Sequence, residues 1–361
     1  MSWSADQGLL IRALTRPESL VSLDLRDWDY LIRQARLSGL LARIDALLEE
    51  RGLIEGVPEV VRRHLDSARV IAAKQVRVVR YEVRRIRQAL VDSCVPIVLL
   101  KGAAYVMADL PPARGRVFHD IDILVPRERL DEVEQQLRLH GWMTTHQNDY
   151  DQRYYRQWMH ELPPLRHIRR KSVLDVHHTI LPLTSRLRPD PRKLFHDARL
   201  LEEDLLVLAP ADMVLHSATH LFHDGELESG LRDLVDLDSL LRHFGADPAF
   251  WDRLATRAQE LDLSRPLYYA LRYTRRILGT PVPDTVRQAV RTGRPMVFVA
   301  GMMDALMQHA LAPAMPDRAM HGAVFARWVL YARWHYLRMP LYLLVPHLLH
   351  KFFAKDKAGQ R

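Results

Sequence analysis

Apolar positions recur at helical spacing through most of the first 90 residues. Between residues 9 and 50 they include Leu37, Leu40, Leu41, Ile44 and Leu47–Leu48. That three-and-four spacing lays one helix face against a core. Gly52, Gly56 and Pro58 then break the pattern, because neither residue type sustains a helix. A second run from Glu59 to Asp92 carries Val60, Leu65, Val70, Ile71, Val76, Val79, Val83, Ile86 and Leu90 among arginines. It predicts one long amphipathic helix with a basic face, and the plain reading of those arginines is a solvated surface.

The period then changes. Residues Pro96 to Leu100 are short, apolar and β-branched, which predicts a buried strand. Lys101, Gly102 and Ala103 lead into a brief helical stretch stopped by Pro111-Pro112, and a polar loop with Arg114, Gly115 and Arg116 follows. His119 to Val125 predicts a second strand, and Arg127 to His140 a helix closed by Gly141. Residues 142–170 mix aromatic and charged side chains without a clear period, and Ser172 to His178 predicts a third strand. After Pro182 the pattern is helical again. One helix starts at Pro210 and runs through His216 and His220, and others cover about 230–244, 250–262, 265–278 and 295–312. The tail from Phe325 to Phe353 is aromatic, apolar and basic. This order divides the chain into a helical region over 1–90, a strand-bearing core over 91–185 and a helical region over 186–361.

Composition narrows the class. The chain has 361 residues, 48% hydrophobic and 27% charged, which excludes wholesale disorder, collagen-like repeats and a disulfide scaffold. Its one cysteine, Cys94, has no partner for an internal bridge and reads as a small buried residue before a strand. The first 20 residues show no secretory signal. The longest apolar stretch, Met339 to His350, is too short to span a membrane and holds Pro340 and Pro346. A cytoplasmic location is the expectation. The net charge of +8 points to an anionic partner, although the basic residues are dispersed.

The densest chemistry lies in the second strand. Strand side chains alternate between faces, so Asp120 and Asp122 point the same way while Ile121 and Ile123 point into the core. Two carboxylates on one strand face repel each other unless a cation lies between them. Asp175 sits in the third predicted strand between Leu174 and Val176. If the two strands are neighbours, the three carboxylates converge, an arrangement suited to divalent metals and displacement at phosphorus. Upstream, the Lys101-Gly102-Ala103 turn opens a helix whose free N–H groups face anions. Lys101 and Arg116 add positive charge beside it.

These features together resemble the DNA polymerase β-like nucleotidyltransferase superfamily, and within it a bacterial family of uncharacterised nucleotidyltransferases. The resemblance rests on a strand, the Lys101-Gly102-Ala103 turn, a helix, Arg116 followed by Asp120-Ile-Asp122-Ile-Leu-Val, and the later Leu174-Asp-Val-His strand. The segments 210–222 and 231–238 look like that family's helical half. The resemblance implies an α+β fold, with a small mixed sheet as the catalytic core and helical flanks. It also implies transfer of NMP from an NTP, ATP binding included, to an unidentified acceptor with release of pyrophosphate. By the same resemblance Asp120, Asp122 and Asp175 are the catalytic Mg²⁺ or Mn²⁺ ligands. Lys101, Gly102, Ala103 and Arg116 are then the nucleotide-binding residues. Where the superfamily turn usually carries Gly-Ser or Gly-Gly, this chain has Gly102-Ala103, so backbone N–H groups take the role of the absent hydroxyl.

Two other classes of function fit the residues. One is a nucleotide-binding regulator that has lost catalysis. The other is a basic nucleic-acid-binding protein using the helix over 59–92. The acceptor of an active enzyme is a small molecule, a protein or an RNA. His177, on the same strand face as Asp175, reads as a hydrogen-bonded structural histidine. His216, His220 and His223 read as helix packing, since no glutamate adjoins His216 as in a zinc protease. The tail, with Trp328, Trp334, Tyr336, Tyr342, Lys351 and Phe352-Phe353, reads as a packed helical element, with peripheral membrane contact as the other reading.

Overall fold

The helical period of the first 90 residues becomes four helices: α1 (Ala5–Thr15), α2 (Leu25–Leu37), α3 (Leu41–Glu50) and α4 (Glu59–Leu90). This computed structural model describes residues 5–145, 148–202, 204–224, 227–317 and 320–344. The Asp24 side chain caps α2 by accepting from Asp27 N–H, which satisfies one of the amides a helix start leaves open. The 32 residues of α4 extend about 48 Å. Val61 and Leu65 near its start, and Val79, Val83, Ile86 and Leu90 towards its end, are buried. Val60, Val70 and Ile71 are exposed instead of facing the core as expected. The helix outruns its covering, and its middle turns bury only Ala72. Four of its basic residues, Arg62, Arg63, Arg69 and Arg87, pair with acids.

The three predicted strands form as β1 (Ile97–Leu99), β2 (Asp120–Leu124) and β5 (Val173–His177). Four more join them: β3 (Trp142–Thr144), β4 (Leu165–His167), β6 (Arg199–Glu202) and β7 (Leu205–Val207). The result is one mixed sheet ordered β3-β4-β5-β2-β1-β7-β6. The segment after Pro182, expected to be helical, therefore supplies two strands. β6 shows almost no alternation in burial and β7 has only three residues, too little for a period of two to register. β1 runs antiparallel to β2 and parallel to β7, and β2 runs parallel to β5.

Three short helices connect the strands: α5 (Lys101–Met107), α6 (Leu130–Leu139) and α7 (Asp149–Trp158). α8 (Pro191–His196) precedes β6, and α9 (Pro210–Thr219) follows β7 and passes into a π-turn over His220–Asp224. Then come α10 (Gly230–Phe244), α11 (Pro248–Glu260), α12 (Ser264–Tyr273), α13 (Asp284–Ala289), α14 (Val297–Ala310) and α15 (His321–Arg338). A continuous hydrophobic core links Leu10 and Leu31, through Val98, Ile123 and Val176, to Leu234, Leu267 and Leu330. The fold is thus α+β, with helices at both ends of the chain.

Cys94 is exposed, not buried. It sits in a tight turn with φ of +50°, and Val95 and Ile97 on either side of Pro96 take the core positions. In the tail, α15 packs on α14 and buries Trp334, while Trp328 and Tyr336 stay exposed. Lys351 and Phe352-Phe353 lie outside the described residues. Among the described residues, no helix is long and apolar enough to cross a membrane.

Candidate active site

The alternation of β2 buries Ile121 and Ile123 and turns Asp120 and Asp122 to the other face. Parallel pairing with β5 sets Asp122 directly opposite Asp175. The three carboxylates expected to converge therefore share one sheet face, and His177 follows two residues beyond Asp175 on that face. A neighbouring segment brings two more groups. Leu162 N–H donates to Val176 C=O, and Glu161 forms an isolated antiparallel bridge with His177. His160 and Glu161 were not legible as site residues, because they lie in the stretch without a period.

Lys101 opens α5 at the end of β1. Its Nζ donates to Asp122 Oδ1 at 3.0 Å. Its φ of +42° is in the left-handed region that costs a non-glycine residue about 1–2 kcal/mol. The same Asp122 oxygen lies 3.1 Å from His177 Nε2. An ionised carboxylate only accepts, so Nε2 carries the hydrogen. His177 Nδ1 lies 3.4 Å from Glu161 Oε2. His177 is thus hydrogen-bonded, as expected, but to a candidate catalytic acid.

Burial alone would raise the Asp122 carboxyl, yet Lys101 and His177 outweigh it and hold the acid well below the usual range. Burial would lower the Lys101 amine and the His177 imidazole, and bonding to Asp122 raises both instead. At Asp175 the pull of His177 is outweighed. Burial, with Asp122 and Glu161 beside it, pushes it up to about 8. Its Oδ1 is buried with no hydrogen-bond partner among the described residues. Burial and Asp122 raise Asp120 in the same sense.

Two adjoining cavities meet at these groups. The larger, about 370 Å³, is lined by Asp120, Asp122, Asp175, Glu161, His160 and His177, with Arg338 at its edge. The smaller, about 130 Å³, is lined by Gly102, Tyr105, Arg116 and Phe118, with α9 and α10 opposite. Lys101, Asp120, Asp122, His220, Arg232 and Asp233 border both. The smaller cavity has room for a phosphate-sized group, well under the roughly 300–1,000 Å³ of a whole-ligand pocket.

Gly102 meets a steric demand that the sequence did not show. A Cβ there would lie 2.5 Å from Phe118 Cδ1, so the residue is small to admit an aromatic wall. Ala103 is buried and lines neither cavity. Arg116 lies over the rings of Tyr105 and Phe118 and pairs with Asp236 and Asp233 of α10. Its loop is held from the N-terminal helices. Gly115 has a φ of +71°, and a Cβ on it would strike Ala42 C=O of α3. Arg43 donates to Pro111 C=O at 2.8 Å, Arg114 C=O at 3.1 Å and Ser239 Oγ at 2.9 Å.

Of the three histidines read as packing, His216 and His223 are buried, and His223 bonds Ser185 Oγ at 2.9 Å. Burial, with Lys101 nearby, holds His216 well below its ordinary value. His220 instead borders both cavities from the π-turn, a helix irregularity common at functional sites.

A mixed sheet with carboxylates from two adjoining strands, a lysine-bearing turn and a small recess beside them defines an α+β protein with an acidic cleft. The family model described as "uncharacterised nucleotidyltransferase" matches residues 24–279, more than half of the chain, and the protein belongs to that family. No curated protein matches the chain.

Proposed function

We propose that the protein transfers NMP from an NTP to an acceptor, with pyrophosphate as the leaving group. The observation that carries this reading is the register of β2 and β5, which pairs Asp122 with Asp175 and leaves a buried Asp175 oxygen without a partner among the described residues. Such an oxygen fits a hard divalent cation, for which carboxylates and phosphates are the preferred ligands. Asp120, Asp122 and Asp175 are the residues to hold Mg²⁺ or Mn²⁺. The ion, when bound, stabilises the negative charge that builds on the phosphate oxygens.

The remaining steps belong to the protein. Lys101, the amides of Gly102 and Ala103, and Arg116 hold the triphosphate, with one of its phosphate groups in the smaller cavity. His177 fixes the Asp122 carboxylate through Nε2. The acceptor enters the larger cavity, where Asp175 takes the proton of its attacking group. In-line attack at the α-phosphorus then depends on positioning and electrostatics. The acceptor is a small molecule, a protein or an RNA. Exposed Phe325, Trp328 and Tyr331 on α15 support peripheral membrane contact by the tail as an added feature.

The test is incubation of the protein with each α-labelled NTP, Mg²⁺ or Mn²⁺, and a cell extract. Label should enter one acceptor fraction with matching pyrophosphate release, and Asp122→Asn should abolish both. Transfer by that variant at the wild-type rate would refute the assignment. NTP binding without pyrophosphate release would identify the regulator instead.

A further inference from the structure

We infer that His160, Glu161 and His177 form a site for a first-row transition ion, separate from the three aspartates. One ligand atom from each residue lies within 4.8 Å of the others. His177 Nδ1 and Glu161 Oε2 are 3.4 Å apart, and His160 Nε2 and Glu161 Oε2 are 3.9 Å apart. Ligands about 2.1 Å from a tetrahedral ion stand roughly 3.4 Å from one another, so small side-chain adjustments complete the set.

The backbone holds this set in place. His160 C=O accepts from His178 N–H at 2.9 Å, and Leu162 N–H donates to Val176 C=O at 2.9 Å. The two segments are therefore tied on both sides of the bridge between Glu161 and His177. His160 and His177 are 5% and 3% exposed, which marks a built site and not a surface cluster. The second ring nitrogen of His177 is bonded to Asp122 Oδ1. A carboxylate behind the ring is the usual partner of a metal-bound histidine, since it fixes the tautomer and leaves the other nitrogen's lone pair for the ion.

Donor chemistry separates the two sites. Three carboxylates suit Mg²⁺, whereas two imidazoles and one carboxylate suit Zn²⁺ or a neighbouring first-row ion. Three protein ligands leave a fourth position open. All three ligands line the larger cavity, as Asp175 does. Resting on the transferase reading, we place a donor atom of the acceptor at that position.

The experiment uses the full-length protein, stripped with a chelator and dialysed, and titrated with Zn²⁺ alone against a chromophoric competitor. Wild type should bind one equivalent at micromolar or tighter affinity in the presence of millimolar Mg²⁺. His160→Ala and Glu161→Gln should each weaken binding at least about tenfold, while Asp120→Asn should change it less than about threefold. Co²⁺ bound to wild type should give the intense visible bands of a four- or five-coordinate ion, a readout that requires no variant to fold. Zn²⁺ binding no tighter than Mg²⁺, equal loss in Asp120→Asn and His160→Ala, or only weak six-coordinate Co²⁺ bands would each overturn the site. Neither readout uses an NTP, so a failure of nucleotide transfer leaves this test intact.

Discussion

Replacing Gly102 by alanine separates two reasons for a glycine in the lysine turn. The added methyl would lie 2.5 Å from Phe118 Cδ1 and 2.9 Å from Cε1. Ordinary carbon contacts are about 3.5–4.0 Å, so the ring must retreat by about 1 Å. It has little room, because Phe118 is 6% exposed. The Arg116 guanidinium lies 5.6 Å from its ring centre, and the acids of α10 hold that guanidinium. Overpacking of this kind costs about 1–3 kcal/mol. Urea unfolding of Gly102→Ala, Phe118→Leu and the double variant measures the coupling directly. The double variant should recover at least about 0.5 kcal/mol relative to the sum of the single changes. Coupling near zero would refute the steric reasoning. In that case unchanged stability with weakened NTP binding would assign the glycine to phosphate contact alone.

Arg43→Ala should loosen the loop carrying Arg116 and raise the KM for NTP about tenfold, the effect of roughly 1.4 kcal/mol, with kcat nearly unchanged. A fall in kcat at constant KM in steady-state assays would contradict this. Arg257→Met should destabilise the fold by about 3–5 kcal/mol. It strands Asp212, which is 1% exposed and bonded to Arg257 at 2.7 and 2.9 Å. Adding Asp212→Leu should restore most of the loss, and denaturant midpoints that show no restoration would refute the account. Burial raises the Asp304 carboxyl, but Arg272 and Arg276 outweigh it and bring it down to about 2. The folded value lies below the unfolded one near 3.9. This contribution to stability is therefore present above about pH 4 and lost as pH falls towards 2. Asp304→Asn should flatten the stability profile across that window, and an unchanged slope would argue against it.

The parts of the fold that were legible carry long or strict periods. The helix α4 was bounded to within two residues of its end because 32 residues repeat one pattern. β2 and β5 were visible because apolar residues alternate with aspartates. Their adjacency was not readable, since pairing in a parallel sheet joins residues over 50 positions apart through contacts that no local pattern encodes. β3, β4 and β7 have three residues each, as β1 does, but β3 and β4 lie in the stretch of mixed aromatic and charged residues, without the β-branched apolar run that marked β1. The roles of His160, Glu161, Phe118 and Asp236 arise only from packing. Gly102 stood out in the sequence as part of the lysine turn, but its neighbour across space is an aromatic ring, which sequence spacing cannot show.

The chain's net charge of +8 is reversed at the cleft. Six carboxylates line the two cavities, from Asp120, Asp122, Glu161, Asp175, Asp233 and Asp236, against Lys101, Arg116, Arg232 and Arg338. Both cations expected to cradle phosphate already have carboxylate partners, Lys101 with Asp122 and Arg116 with Asp233 and Asp236. An incoming triphosphate therefore exchanges one anion for another at each cation, and such an exchange gains little by itself. The gain must come from what neutralises the carboxylates it releases. On the proposed reading, a divalent ion held by Asp120, Asp122 and Asp175 would take that role for Asp122, and Arg232, which lies 3.2 Å from Asp233, would take it for the acids of α10. On that reading, nucleotide and cation would depend on each other through the charge balance of the cleft. On that reading the acidic lining, more than the overall basic charge, would suit the cleft to phosphate chemistry through the cation it holds.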